Sequence, residues 1–285
     1  MPRQSKASNQ TEPNIIPNVT ENIQNPNEEF KQQSEQVFNS GNVIQETIKM
    51  ISKGLIPNIP SEVTIRAILR KDKKKLLMTN PDDVLLALLQ SSIVTPQNFN
   101  VYNLYPFESN YLLYRLRVLT YGNEHKYHEM CPHCRTDNEI EINLSEVPIV
   151  PVPDDFKPVF NITLPVSGKV LTCKLLNEGE LISLRKKANE LQEQTGNNSA
   201  FMDLLWETRI AAIDGNSKLA PIEKTQFLDN LIDYDNEFMM YQYDKEVGNY
   251  GLQTELTTTC DNCGRIFSSN IPSIYTFFRP TFEIN

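Results

Sequence analysis

Long hydrophobic runs are missing from this sequence: no apolar stretch approaches the roughly 20 residues that a membrane-spanning helix needs. Met1 to Thr20 lacks the apolar core of a signal peptide, so neither a secretory leader nor a membrane anchor is expected. Positive charge is also scarce. The 285 residues carry 27 Lys and Arg against 36 Asp and Glu, a net charge of −9. With a pI near 5.0, the chain gains little from phosphate backbones, which disfavours sequence-independent nucleic-acid binding. The sequence contains no G-x-G-x-x-G, no phosphate loop and no G-x-S-x-G elbow. Its three histidines, His125, His128 and His133, crowd into one stretch and leave few general bases elsewhere.

Cysteine is sparse but patterned. Four of the five form Cys131-Pro132-His133-Cys134 and Cys260-Asp261-Asn262-Cys263, separated by 125 residues. A C-x-x-C turn points both sulfurs inward, and two such turns complete a tetrahedral four-sulfur shell around one metal ion. After the first pair, Glu139 to Leu144 alternates polar and apolar as a strand does. Before the second pair, Thr254 to Thr259 is rich in β-forming threonine, and Ile266 and Phe267 follow it. Each pair therefore reads as the turn of a hairpin, as in a zinc ribbon. We expect Cys131, Cys134, Cys260 and Cys263 to hold a structural zinc, with an iron–sulfur cluster as the alternative. The cysteine pattern also suits a reducing compartment better than a disulfide framework. Four cysteine ligands leave the histidines out of the shell, with His133 facing solvent. Cys173, in the strand-like run Val170 to Leu175, reads as a small buried hydrophobe.

Residues 1 to about 26 are polar and read as a flexible or extended arm: either a disordered tail, or an arm that wraps a neighbouring subunit with Ile15, Ile16, Val19 and Ile23 as its anchors. From 27 to 50 the apolar spacing is loosely helical. Val63 to Ile68 alternates as a strand, and Lys71 to Lys75 is a solvated helix start. Asn80-Pro81-Asp82-Asp83 opens a buried helix through Leu89. A second helix spans Glu108 to Leu119, with Arg115 and Arg117 solvated or locally paired. Pro148, Pro151, Pro153 and Pro158 make a stiff connector. Strands follow near Phe160 to Leu164 and Lys169 to Leu176, turning at Ser167-Gly168. A helical block then runs from Glu178 to about Val247, with Ile210 and Ile213 in it. The fold class is α+β. Residues 52–77 and 167–187 echo each other as strand-turn-strand-helix units. This predicts two diverged half-repeats with helical blocks, joined by one zinc-ribbon-like four-cysteine site. The domains expected are a polar extended arm over 1–44, a first half over 45–150 and a second half over 151–285.

Several of these segments, in order, resemble the baseplate hub subunits of T-even-like contractile-tailed bacteriophages. They are Ser52-Lys53-Gly54-Leu55 with Val63-Thr64-Ile65-Arg66, Tyr111-Leu112-Leu113-Tyr114 leading to Leu119-Thr120-Tyr121-Gly122, and the first cysteine pair. In the second half they are Leu164-Pro165-Val166-Ser167-Gly168-Lys169 and Arg209 to Gly215. The resemblance covers roughly residues 45–280. It implies a non-enzymatic structural component of the virion tail, built in the host cytoplasm. Its implied partners are other baseplate and hub subunits and the tape-measure protein. The readings it competes with are a zinc-ribbon nucleic-acid-binding or regulatory protein, which wants a basic face, and a thiol oxidoreductase or metal enzyme. A catalytic zinc keeps one coordination position open, whereas four cysteines close it.

Overall fold

Alternating burial organises the first sheet. The structure, a computed structural model, describes residues 43–76, 83–271 and 278. Gln45–Lys49 (β1) pairs antiparallel with Glu62–Arg66 (β2), with Ile48 opposite Val63. Period two puts Val63 and Ile65 on one face, and both are fully buried. The chain then forms Arg70–Leu76 (α1) and Val84–Ser92 (α2) and returns as Ile93–Thr95 (β3) on the other edge of β2. The β2–β3 register slips between Thr64 and Ile65, as at a bulge. Pro106–Tyr121 (α3) packs Leu112 and Leu116 into the same core as Val63, Ile65, Leu89 and Leu104.

A second sheet has the same order of parts. Val159–Thr163 (β7) and Val170–Lys174 (β8) form an antiparallel hairpin. Glu178–Thr195 (α4) and Ala200–Arg209 (α5) follow, and Ile210–Ile213 (β9) comes back onto the β8 edge. Here the register slips between Thr172 and Cys173. A capping box starts α4: Asn177 Oδ1 accepts from the Glu180 amide at 2.9 Å, and Glu180 Oε2 accepts from the Asn177 amide at 3.0 Å. Pro221–Asp229 (α6) and Asp233–Val247 (α7) follow, with Met239 and Tyr243 of α7 in a core with Ile162, Leu171, Cys173 and Ile210.

Two further hairpins stand apart from the sheets. Glu124–Met130 (β4) pairs with Asp137–Asn143 (β5), and Glu255–Thr259 (β11) pairs with Ile266–Asn270 (β12). The chain just after the first hairpin and just before the second meets as a short pair, Ile149–Val150 (β6) with Gly251–Leu252 (β10). That pairing brings both hairpins to one place.

The α+β class and most elements follow the sequence reading, with several corrections. The helical spacing of 27–50 does not survive where it is described: Gln45–Lys49 is a strand, because Ile48 alone turns inward and β2 supplies the pairing. Ile210 to Ile213 leaves the helical block as β9, where a β8 edge outweighs continuation of the helix. The proline connector is anchored, with Val152 and Phe156 buried. Arg117 is buried, donating to the carbonyls of Gly122 and Glu124, while Arg115 pairs with Glu46. Asp83 precedes α2 but makes no capping bond. Asn80, Pro81 and Asp82 lie outside the described residues, as does the arm through residue 42 with Ile15, Ile16, Val19 and Ile23.

Candidate metal centre

Each cysteine pair sits in a turn closed by two backbone bonds of one pattern. In the first, Cys131 N donates to Thr136 O and Arg135 N to Cys131 O, both at 2.9 Å. In the second, Cys260 N donates to Arg265 O and Gly264 N to Cys260 O, both at 2.9 Å. The residue after the second cysteine must turn left-handed for this closure. Arg135 has φ 59° and Gly264 has φ 68°. Glycine takes that conformation without strain, whereas arginine costs about 1 kcal/mol there.

The two turns face each other. The four sulfurs all lie within 4.8 Å of one another. Cys131 Sγ is 3.9 Å from Cys263 Sγ, and Cys134 Sγ is 3.5 Å from Cys260 Sγ. A disulfide needs about 2.05 Å, and all five cysteines are free thiols. Four sulfurs at about 2.3 Å from one zinc ion would stand about 3.8 Å apart at tetrahedral angles, so the spacing suits a single ion. Cys131 and Cys260 are buried beside Phe267, and Cys263 is exposed. The hydroxyl and amide of Thr136 hold the Cys134 thiol down, to about 5. The amides of Cys263 and Asn262 hold Cys260 down as well. Cys263 goes the other way: the Arg265 amide favours its thiolate, but local desolvation by the surrounding atoms and the neighbouring sulfurs push it up to about 11.

A polar seam binds one hairpin to the other. Asn138 is buried on β5, where it accepts from the Asp261 amide at 3.0 Å and donates to Thr136 O at 2.8 Å. Asn262 Nδ2 donates to Thr136 Oγ1 at 3.1 Å. Further along, Tyr127 Oη and Ser269 Oγ share a buried hydrogen bond of 2.9 Å. The sequence reading missed Asn138. Its only signal was an amide where the alternation of β5 wants an inward apolar residue. The histidines stay out of the cluster. His133 is exposed, His128 meets Asp137 at 3.1 Å on the surface, and His125 stacks on Tyr127 at 5.9 Å. Burial, with the Arg117 charge nearby, pushes His125 down to about 4. Cys173 is fully buried in the second core, where burial pushes its thiol up to about 12.

These features define an α+β protein with a close four-cysteine cluster joining two distant hairpins. Residues 47–279 match the model of the family described as T4 bacteriophage base plate protein, and the chain belongs to that family. No curated protein and no solved structure matches it. Membership gives the chain a structural role in a phage baseplate, in the virion tail and among other tail proteins. Among the described residues, no helix is long and apolar enough to cross a membrane.

Proposed function

We propose that this chain is a hub or inner-baseplate subunit, made of two diverged half-repeats clasped by one structural zinc ion. Cys131, Cys134, Cys260 and Cys263 are its ligands, and hub subunits and the tape-measure protein are its neighbours. Its role is assembly through protein–protein contacts, without catalysis. The observation that carries the reading is the convergence of four sulfurs from turns 125 residues apart. A four-iron cluster would push the sulfurs further apart than these, which favours a single ion.

Paired side-chain contacts at matching places support the half-repeats. Arg66, the last residue of β2, grips Asp72 through two bonds of 2.7 and 3.0 Å, and the Leu69 amide also donates to Asp72. Lys174, the last residue of β8, reaches Glu180, and the Asn177 amide also donates to Glu180. Both pairs span six residues. Glu108, third in α3, accepts from the amides of Ile51 and Ser52 at 3.1 and 2.7 Å. Asp235, third in α7, accepts from the amides of Val166 and Ser167 at 2.8 and 2.9 Å. Each acid thus staples a helix start to the loop of its own hairpin. Coincidence would have to supply both contacts, and the bulge, in both halves.

Elemental analysis of freshly purified protein tests the metal: one zinc per chain is expected. A brown chromophore would instead give iron–sulfur, and protein free of metal would overturn the clasp. The position of the subunit in a tail reconstruction tests the hub assignment; a place at the baseplate periphery would refute it.

A further inference from the structure

We propose that the outer face of α7 is a docking site for an extended, basic segment of a neighbouring tail subunit. The inference rests on the half-repeat reading above. Aligning α3 on α7 through Glu108 and Asp235 sets Phe107 opposite Tyr234 and Tyr114 opposite Tyr241. In the first half these positions are covered. Tyr114 is 5 % exposed. Phe107 meets Phe156 and Tyr250 with ring centroids 6.0 and 6.2 Å away, and both partners flank the β6–β10 pair in the chain. The backbone approaches so closely that a Cβ on Gly251 would stand 3.2 Å from Phe107. In the second half the same positions are open: Tyr234 is 65 % exposed and Tyr241 is 64 % exposed.

The open stripe states what it would take. Tyr234, Glu237, Tyr241 and Asp244 recur at helical spacing, so two tyrosines and two carboxylates share one exposed face, with Lys245 as its one basic group. Tyrosine is a favoured interface anchor, and an arginine or lysine can lie over its ring while pairing with the adjacent acid. By analogy with the strands that cover α3, the occupant is extended and carries an apolar side chain between basic ones. A second copy meeting this face with its own would set two carboxylates against two, with only Lys245 of each copy to answer them. The chain's residues 1–42 hold Arg3, Lys6 and Lys31 against five glutamates, so they complement it poorly.

The test places a photo-crosslinking benzoylphenylalanine at position 234 or 241 of the full chain, supplied to a phage lacking its own copy. Irradiated tails should yield, from both positions, a crosslink to one segment of another tail protein with net positive charge. The double substitution Glu237→Lys and Asp244→Lys should lower incorporation into tails by at least about tenfold. The melting temperature of the purified chain should stay unchanged, because both groups are exposed. Crosslinks to residues 1–42, to a second copy, to an acidic segment or to nothing would overturn the proposal, as would normal incorporation of the charge-reversed chain. The half-repeat reading has its own readout, the hairpin-loop exchange of Glu108 and Asp235 variants given below, so the two failures are distinguishable.

Discussion

Asp72 shows how much one polar residue can decide. It is 1 % exposed, and its carboxylate takes both arms of Arg66 and the Leu69 amide. Asp72→Asn would leave Arg66 short of its counter-charge, and we expect a loss of about 2–3 kcal/mol in urea unfolding. A loss under about 0.5 kcal/mol would mean that the pair is idle. Burial raises the Asp72 pKa, but the bonds and charge of Arg66 outweigh it and hold the carboxyl low. Asp235 is likewise held low, by the Val166 and Ser167 donors against burial. A depressed carboxylate stabilises above its unfolded value, near 3.9, and that stability is lost as pH falls through the folded value. Glu108 has the opposite sign. Burial raises it despite the bonds from Ser52 and Ile51. Its contribution is full below the unfolded value, near 4.3, and fades as pH rises through the folded one. Stability measured against pH should therefore fall less steeply on acidification in Asp235→Asn, and less steeply on raising pH above about 4 in Glu108→Gln. Slopes unchanged from the parent protein in both variants would refute the assignments.

At the scale of an element, the two cysteine turns are one backbone design carried by different residues. Gly264 has open space around its Cα, so Gly264→Ala tests conformation alone and should cost roughly 1 kcal/mol in the metal-loaded protein. Arg135→Gly should be nearly neutral, since relief of the left-handed strain is offset by a freer unfolded chain. Equal costs in thermal melts would contradict the strain argument. Asn138→Ala leaves the Asp261 amide without its acceptor and should cost about 1–3 kcal/mol. The hairpin loops answer to the same logic. Glu108→Ala should speed hydrogen exchange at residues 50–53, and Asp235→Ala at residues 166–168. If only one variant loosened its loop, the parallel between the halves would fail. The hairpins and their turns were legible beforehand, because alternation and C-x-x-C spacing are local signals. Asn138, Thr136 and the Tyr127–Ser269 bond were not, because their partners come from the other hairpin.

Across the whole molecule, the second hairpin meets the first at the four-sulfur cluster and is tied to it by a polar seam and the short β6–β10 pair. The double substitution Cys131→Ser and Cys260→Ser should lower the melting temperature and expose both hairpins to hydrogen exchange. A change confined to one hairpin would rule out a shared site. Treatment with a strong chelator should reproduce the double variant, since a structural metal contributes folding energy directly.

Local chemistry in the chain determined the α+β class, the cysteine turns, the buried helices and a four-sulfur set able to take a metal. Those signals depend on spacing over a few residues, and spacing is visible in a sequence. Tertiary structure decided what spacing cannot carry. Gln45–Lys49 and Ile210–Ile213 became strands because a sheet edge stood ready to pair with them. Arg117 went inside because two carbonyls met its guanidinium there. The two cysteine hairpins met because β6 and β10, far apart in the chain, supply each other's backbone hydrogen bonds. Pairing of that kind is chosen by free energy summed over the folded chain, and no short window contains it.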